Sequence, residues 1–235
     1  YADFGPTLAH EKLQECDQVQ ISRESVRKIM MAEGLWQPRR RKKEQVHQMR
    51  ERRACFGELI QIDGSDHAWF EARGERCTLL VFIDDATGQL VELRFVTDES
   101  FFTYGEAARS YFERCGKPVA FYSDRHGIFR VNAAQPLGSR PGLTQFGRAM
   151  QELDIQIICA NTPQAKGRVE RVIQTLQDRL VKELRLCNIS SREAGNVFLP
   201  AYRADFNRRF AVQPRSTHDA HRPLLPSEHL DRILS

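Results

Sequence analysis

Three short apolar runs follow one another between Glu58 and Val96: "ELIQIDG", "CTLLVFID" and "QLVELRFV". Each reads as a strand, and none is long enough to cross a bilayer. The last two are joined through "DATG", a tight-turn composition, so the chain opens its main body with a meander. Beyond Val96 helices and strands alternate. "ESFFTYGEAARSYFERCG" reads as a helix stopped by Gly116, "KPVAFYSD" as a fourth strand closing on Asp124, "TQFGRAMQELD" as a helix and "IQIICA" as a fifth strand. From Gln164, "QAKGRVERVIQTLQDRLVKELRL" predicts a long helix, with Val169, Val172, Ile173, Leu176 and Leu180 at helical spacing. "SSREAGNVFLPAYRADFNRRF" predicts a further helix interrupted at Pro200, to which Arg203, Arg208 and Arg209 add positive charge.

Three strands, helix, strand, helix, strand, long helix is the order of the ribonuclease H fold. The expected class is therefore α/β, a mixed five-stranded sheet flanked by helices. In such a sheet the strand ends gather acidic side chains from distant sequence. Asp63 is expected to leave the first strand and Asp124 the fourth. Glu170 is out of phase with Val169, Val172 and Ile173, so it can point from the long helix toward those aspartates. Clustered carboxylates are the hard oxygen donors that two magnesium ions require. Asp66, Asp84 and Asp85 are rivals. Asp66 is expected beyond the first strand, and "DDATG" to be a turn in which Asp bonds the local backbone.

Ahead of the meander, "PTLAHEKLQEC" and "SRESVRKIMMAEGL" predict two short amphipathic helices, the second capped by Ser22 and stopped at Gly34. They read as part of a helix-turn-helix that would offer Arg23, Arg27 and Lys28 to DNA. The expected domains are 1–37 for that piece, 38–56 for a basic linker, 57–189 for the catalytic core and 190–235 for a C-terminal helix and tail. A chain of 235 residues with 41% hydrophobic content can bury one core and a small satellite domain. The net charge of +4 conceals segmentation. From Pro38 to Arg53 there are eight Lys/Arg against two Glu; from Glu58 to Glu113, twelve acidic residues against four Arg; from Gln164 to Arg215, eleven basic against five acidic. Basic flanks around an acidic middle suit a polyanion held beside a carboxylate site, with Arg39, Arg40, Arg41, Lys42 and Lys43 tracking phosphates. The six cysteines form no CxxC pair, which suggests neither a zinc knuckle nor a disulfide framework and points to a reducing cytosol. The chain opens at Tyr1 in what reads as the middle of a helical domain, as an excerpt of a longer protein would.

The segments "QIDGS", "YSDRHG" and "NTPQAKGRVERVIQTLQ" resemble the DDE signature of insertion-sequence transposases whose catalytic core is related to retroviral integrase. The resemblance covers about Gly57 to Asn207, and "DFGPTLAHEKLQE" with "SRESVRKIMMAEGLW" resembles the helix-turn-helix region ahead of that core. The Asp124-to-Glu170 spacing is longer than usual in the family, because "RVNAAQPLGSRPG" stands inserted after the second aspartate. The resemblance implies that Asp63, Asp124 and Glu170 bind two Mg²⁺ or Mn²⁺ ions. These would activate water, and later a DNA 3′ hydroxyl, for attack on a phosphodiester. It implies a DNA partner (element terminal repeats and target), a homo-oligomer on that DNA, and a bacterial cytoplasmic location at the nucleoid, without a membrane. In related transposases the last segment leads to a small β-domain, which "QPRSTHDAHRPLLPSEHLDRILS" would only approach.

Several further residues admit both a functional and a blander role. His67 and His126 stand near the two aspartates and could steer water or phosphate. Lys166, one helical turn before Glu170, is placed to touch substrate phosphate; Arg168 and Arg171 have less to recommend them. His218 and His221 have metal spacing but no cysteine pair nearby, so an ordinary role is expected. Trp36 and Trp69 are expected to pack. The expected function is transposition, with a ribonuclease H-fold nuclease lacking strand transfer, or a catalytically inactive DNA-binding protein, as alternatives.

Overall fold

The computed structural model describes residues 1, 3–38, 51–124, 127–129, 143–159 and 167–235. The chain divides into two compact units, Tyr1–Gln48 and Met49–Ser235. In the first, α1 (Pro6–Glu15) begins with proline in its first turn, where the missing N–H costs nothing. Helix α2 (Arg23–Ala32) is capped by Ser22, whose hydroxyl accepts from Ser25 N at 3.0 Å, and Gly34 follows its end at φ +69°. Phe4, Leu8, Ala9, Val26 and Met30 form its small core, and Trp36 packs against them, as expected.

The second unit is built on five strands: β1 (Leu59–His67), β2 (Cys77–Asp84), β3 (Leu90–Val96), β4 (Ala120–Ser123) and β5 (Gln156–Cys159). Their order in the sheet is β3-β2-β1-β4-β5. The meander pairs antiparallel, whereas β4 joins β1, and β5 joins β4, in parallel. This is the mixed ribonuclease H-like sheet expected from the element order. Every residue of β2 is buried, as a central strand covered on both faces requires.

One face carries α3 (Phe101–Cys115) and α4 (Gln145–Glu152) over Ile60, Ile62, Leu80, Phe82 and Phe121. Helix α3 starts on a reciprocal Ser100/Thr103 capping box and stops at Gly116, φ +89°. The opposite face carries α5 (Gly167–Leu186) and α6 (Arg192–Phe210) over Leu79, Val81, Ile83, Leu93, Phe95 and the fully buried Trp69. A short α7 (Leu230–Ile233) returns Leu230 and Ile233 to the first face. No helix among the described residues is long and apolar enough to cross a membrane.

Helix α6 runs through Pro200 without a break, contrary to the interruption expected there. Two asparagines explain it. Asn196 Nδ2 donates to Phe95 O and its Oδ1 accepts from Phe95 N (2.9 and 2.7 Å); Asn207 does the same with Leu90 (2.9 and 2.8 Å). They straddle the proline and pin the helix to β3 on both sides of it, while satisfying backbone groups of an edge strand. Pro200 itself is exposed; the carbonyl its missing N–H would have met is that of Asn196. The tail also docks. The buried His221 ring lies within 2.5 Å of both Tyr111 Oη and Asp219 Oδ1, and packs edge-on against Phe56. That is a structural setting for His221, one of the pair with metal spacing.

Candidate active site

Strand β1 has two neighbours of unequal reach. Its antiparallel pairing with β2 continues to His67↔Cys77, but its parallel pairing with β4 stops at Gln61↔Tyr122. Asp63 and Asp66 therefore both lie within β1, where Asp63 was expected to leave the strand and Asp66 to fall beyond it. On the β4 side, however, Asp63 stands just past the last pair. Continuing that register by two residues sets Asp63 beside Asp124, one residue past the end of β4. Side chains alternate along a strand, so Asp63 shares the face of Gln61 and Ser65, the face that α5 covers. Asp63 and Asp124 are half-buried. Asp66 points the other way, is exposed, and pairs with Arg76 at 3.0 Å.

Helix α5 follows β1. Val169 N donates to Gln61 Oε1 at 3.3 Å, and Gln177 Nε2 donates to Ser65 Oγ at 3.1 Å. Eight helical residues rise about 12 Å and four strand residues about 13 Å, so helix and strand run side by side in nearly matching steps. Glu170 is seven residues before Gln177 and within about 20° of its helical phase. Its exposed side chain thus leaves α5 on the edge that Gln177 uses to reach β1. The buried stripe is Val169, Ile173, Leu176 and Leu180.

The three carboxylates thus belong to one end and one side of the sheet, but among the described residues no group of three or more His, Cys, Asp or Glu side chains is gathered closely enough to hold a metal ion. Their donor chemistry fits a hard divalent cation, and like charges brought together without one repel.

A further carboxylate, not singled out from sequence, stands close by. Glu99 accepts from Tyr104 Oη at 2.8 Å, and a Cβ on Gly64 would lie 2.2 Å from its carboxyl carbon. Burial pushes the Tyr104 hydroxyl well above its usual pKa, followed by the charge and hydrogen bond of Glu99 and then the charges of Asp63 and Asp124. The only local signal for Glu99 was a glycine beside Asp63.

The two turn aspartates have different roles. Asp84 accepts from Thr87 N, Thr87 Oγ1 and Gly57 N at 2.7, 2.7 and 3.0 Å, the local bonding expected of "DDATG". Burial pushes its carboxyl up, against those bonds, which favour the ionised form. Asp85 instead faces the sheet. It accepts from Gln61 Nε2 and Arg168 Nη1, both at 2.6 Å, and from Arg53 N at 2.9 Å. From sequence Asp85 is only a rival set aside for local turn bonding, which is not its main role here, and Gln61 is not raised at all; a glutamine inside the apolar "LIQI" was the signal that could have raised it.

The remaining expected residues scatter. His67 is four residues along β1 from Asp63, about 13 Å away, with its ring against Trp69 (centroids 5.2 Å). Arg23 and Lys28 are exposed on α2, whereas Arg27 is held by Glu24 in a fork of 2.8 and 2.6 Å. His126, Lys166, Arg39, Arg40, Arg41, Lys42 and Lys43 lie outside the described residues.

No protein-family model matches the chain. Among curated proteins it is 57% identical over 224 residues to "Putative transposase y4bF" of Sinorhizobium fredii, covering 95% of this chain and 49% of that one. It is 31% identical over 245 residues to the transposase for insertion sequence IS1202 of Streptococcus pneumoniae, covering 89% and 52%. The chain is related to the insertion-sequence transposases. It spans about half the length of the curated transposases it matches. Among solved structures, a chain of the simian T-cell lymphotropic virus intasome in complex with PP2A regulatory subunit B56 gamma superposes with a TM-score of 0.52 at 15% identity, over 94% of this transposase relative and 76% of that chain. At that identity the likeness is one of fold.

Proposed function

We propose that the chain is the catalytic portion of a DNA transposase that cleaves at element ends and joins them to target DNA, with Asp63, Asp124 and Glu170 holding two Mg²⁺ or Mn²⁺ ions. What supports this reading is the β1–β4 register, which ends at Gln61↔Tyr122 and, carried on by two residues, would put Asp63 opposite Asp124, together with the two hydrogen bonds that lay α5, the helix of Glu170, along β1. Bound there, divalent ions would activate a water or a 3′ hydroxyl and neutralise charge on the phosphodiester. The protein's part is to hold donors on rigid elements: Asp63 on a strand paired with β2 from Ile60 to His67, Glu170 on a long helix packed along that strand. No covalent bond between protein and DNA is required. The basic stretches at 39–43 and along α5 and α6 would follow DNA phosphates, α2 would add Arg23 and Lys28, and assembly on two element ends would join copies of the chain at the nucleoid.

Joining of a labelled end oligonucleotide to plasmid in Mg²⁺ is the direct test. Hydrolysis without joining indicates the nuclease reading, and binding without cleavage the inactive one. Metal binding is testable separately. Asp63→Asn is expected to abolish the divalent-ion binding that calorimetry detects in the parent, because one of the flanking charges is gone; equal binding by the variant counts against this ligand set. For the linker, replacing Arg39, Arg40 and Arg41 by alanine is expected to weaken DNA binding and to flatten its salt dependence by about one counterion per lost phosphate contact. An unchanged slope would make the run a solvated connector.

A further inference from the structure

The first turn of a helix presents backbone N–H groups with no partner inside the helix. In α5 one of these, Val169 N, is met by a side chain from the sheet, Gln61 Oε1 at 3.3 Å. The other end of that amide donates to Asp85 Oδ1 at 2.6 Å, and the same oxygen accepts Arg168 Nη1 at 2.6 Å. Asp85 Oδ2 accepts Arg53 N at 2.9 Å, and Asp85 N donates to Leu59 O at 2.9 Å. Gln61 and Asp85 are both 0% exposed. A buried carboxylate is costly unless charge and hydrogen bonds meet it, and here a guanidinium, an amide and a backbone N–H do so. The result is a closed link: β1 to the β2–β3 turn through Gln61 and Asp85, and both to the first turn of α5 through Val169 and Arg168. Asp63 is two residues from Gln61, and Glu170 is one from Val169 and two from Arg168. Fixing that link fixes where the helix turn carrying Glu170 sits relative to the strand carrying Asp63.

We propose that Asp85 is a positioning residue for the Glu170 carboxylate, acting through Arg168 and Gln61. The inference rests on the reading of Glu170 as a metal ligand with Asp63 and Asp124. It also reassigns Arg168: its guanidinium is engaged with Asp85, its side chain 18% exposed, while Arg171 on the same turn is exposed.

Charge and position predict opposite signs, which makes the proposal testable. Removing a cation near a metal site strengthens divalent-ion binding if only Coulomb attraction matters. Losing the support of a ligand weakens it, by about tenfold or more. Arg168→Met in the full 235-residue chain is therefore expected to bind Mn²⁺ at least about tenfold more weakly by calorimetry. Arg171→Met is expected to bind it as well as the parent or better, and Arg168→Lys, which keeps the charge, to recover most of the loss. Hydrogen exchange in metal-free protein gives a readout independent of the ion. The Val169 and Glu170 amides are expected to exchange about tenfold faster or more in Arg168→Met, with those of β2 unchanged. If Arg168→Met does not fold, Asp85→Asn is read by exchange alone, because removing an anion weakens Mn²⁺ binding by charge as well as by position: faster exchange at Val169 and Glu170 is again expected, and unchanged exchange overturns the proposal. Mn²⁺ binding in Arg168→Met as tight as in the parent overturns the proposal, as does unchanged exchange at Val169 and Glu170. Failure of the underlying site reading has its own signature: Mn²⁺ binding insensitive to Glu170→Gln, with exchange at Val169 still accelerated in Arg168→Met. That result overturns the positioning role together with the ligand assignment.

Discussion

Glu170→Gln is expected to fold and to bind element-end DNA as the parent does, while cleavage and strand transfer both fall by about two to three orders of magnitude or more. Glutamine keeps the size and most of the hydrogen bonding of the side chain and removes the negative charge, the property a bound cation needs. Phosphoryl transfer has little covalent chemistry for protein side chains to perform, so charge stabilisation and alignment account for most of the rate. The exposed position of Glu170 on α5 makes the substitution benign for folding, since it leaves the buried stripe of Val169, Ile173, Leu176 and Leu180 untouched. Glu183→Gln is the control: it lies 13 positions later on the same helix, more than three turns away, and both reactions should persist. Strand transfer by Glu170→Gln near the parental rate in Mg²⁺ would remove this residue from the site.

The largest stability effect is expected at the centre of the sheet. Phe82 is fully buried in β2, opposite Ile62 of β1, with ring centroids 5.7 Å from Phe121 and 6.3 Å from both Tyr104 and Tyr111. Truncation to alanine removes a ring that three aromatic neighbours enclose and leaves a cavity beside the strand that bears Asp63. Phe82→Ala should lower the unfolding free energy by about 3–5 kcal/mol in urea titrations. Phe102→Ala, at an aromatic that is 61% exposed, should change it by less than about 0.5 kcal/mol. A loss at Phe82 no larger than at Phe102 would contradict the packing between β2 and α3.

Much of this architecture is written in local pattern. The meander, the two later strands and the long helix each carry their own periodicity and turn residues, and the ribonuclease H order follows from their succession. Ser22, Ser100 and Gly116 punctuate helices by chemistry that acts over three or four residues. Asp63, Asp124 and Glu170 could be proposed for the same reason: each stands at a definite phase of a recognisable element. The errors came where one element's extent depends on another. Strand β1 runs on to His67 because β2 pairs with it that far, which no property of "GSDH" announces. Helix α6 survives Pro200 because Asn196 and Asn207 find the free edge of β3.

The link that joins β1 to α5 marks the boundary between what sequence determined and what only the tertiary structure decided. Sequence alone set the element order, the strand and helix phases, and hence which carboxylates could meet. It could not reveal that "DDATG" holds one aspartate for its own turn and sends the next inward. Gln61 meets Asp85 across 24 positions, Arg168 meets Asp85 across 83, and Val169 meets Gln61 across 108. Periodicity and capping are short-range, whereas a buried carboxylate's partners are chosen by whichever donors the folded chain delivers, and only packing of the helix on the sheet brings these four residues together.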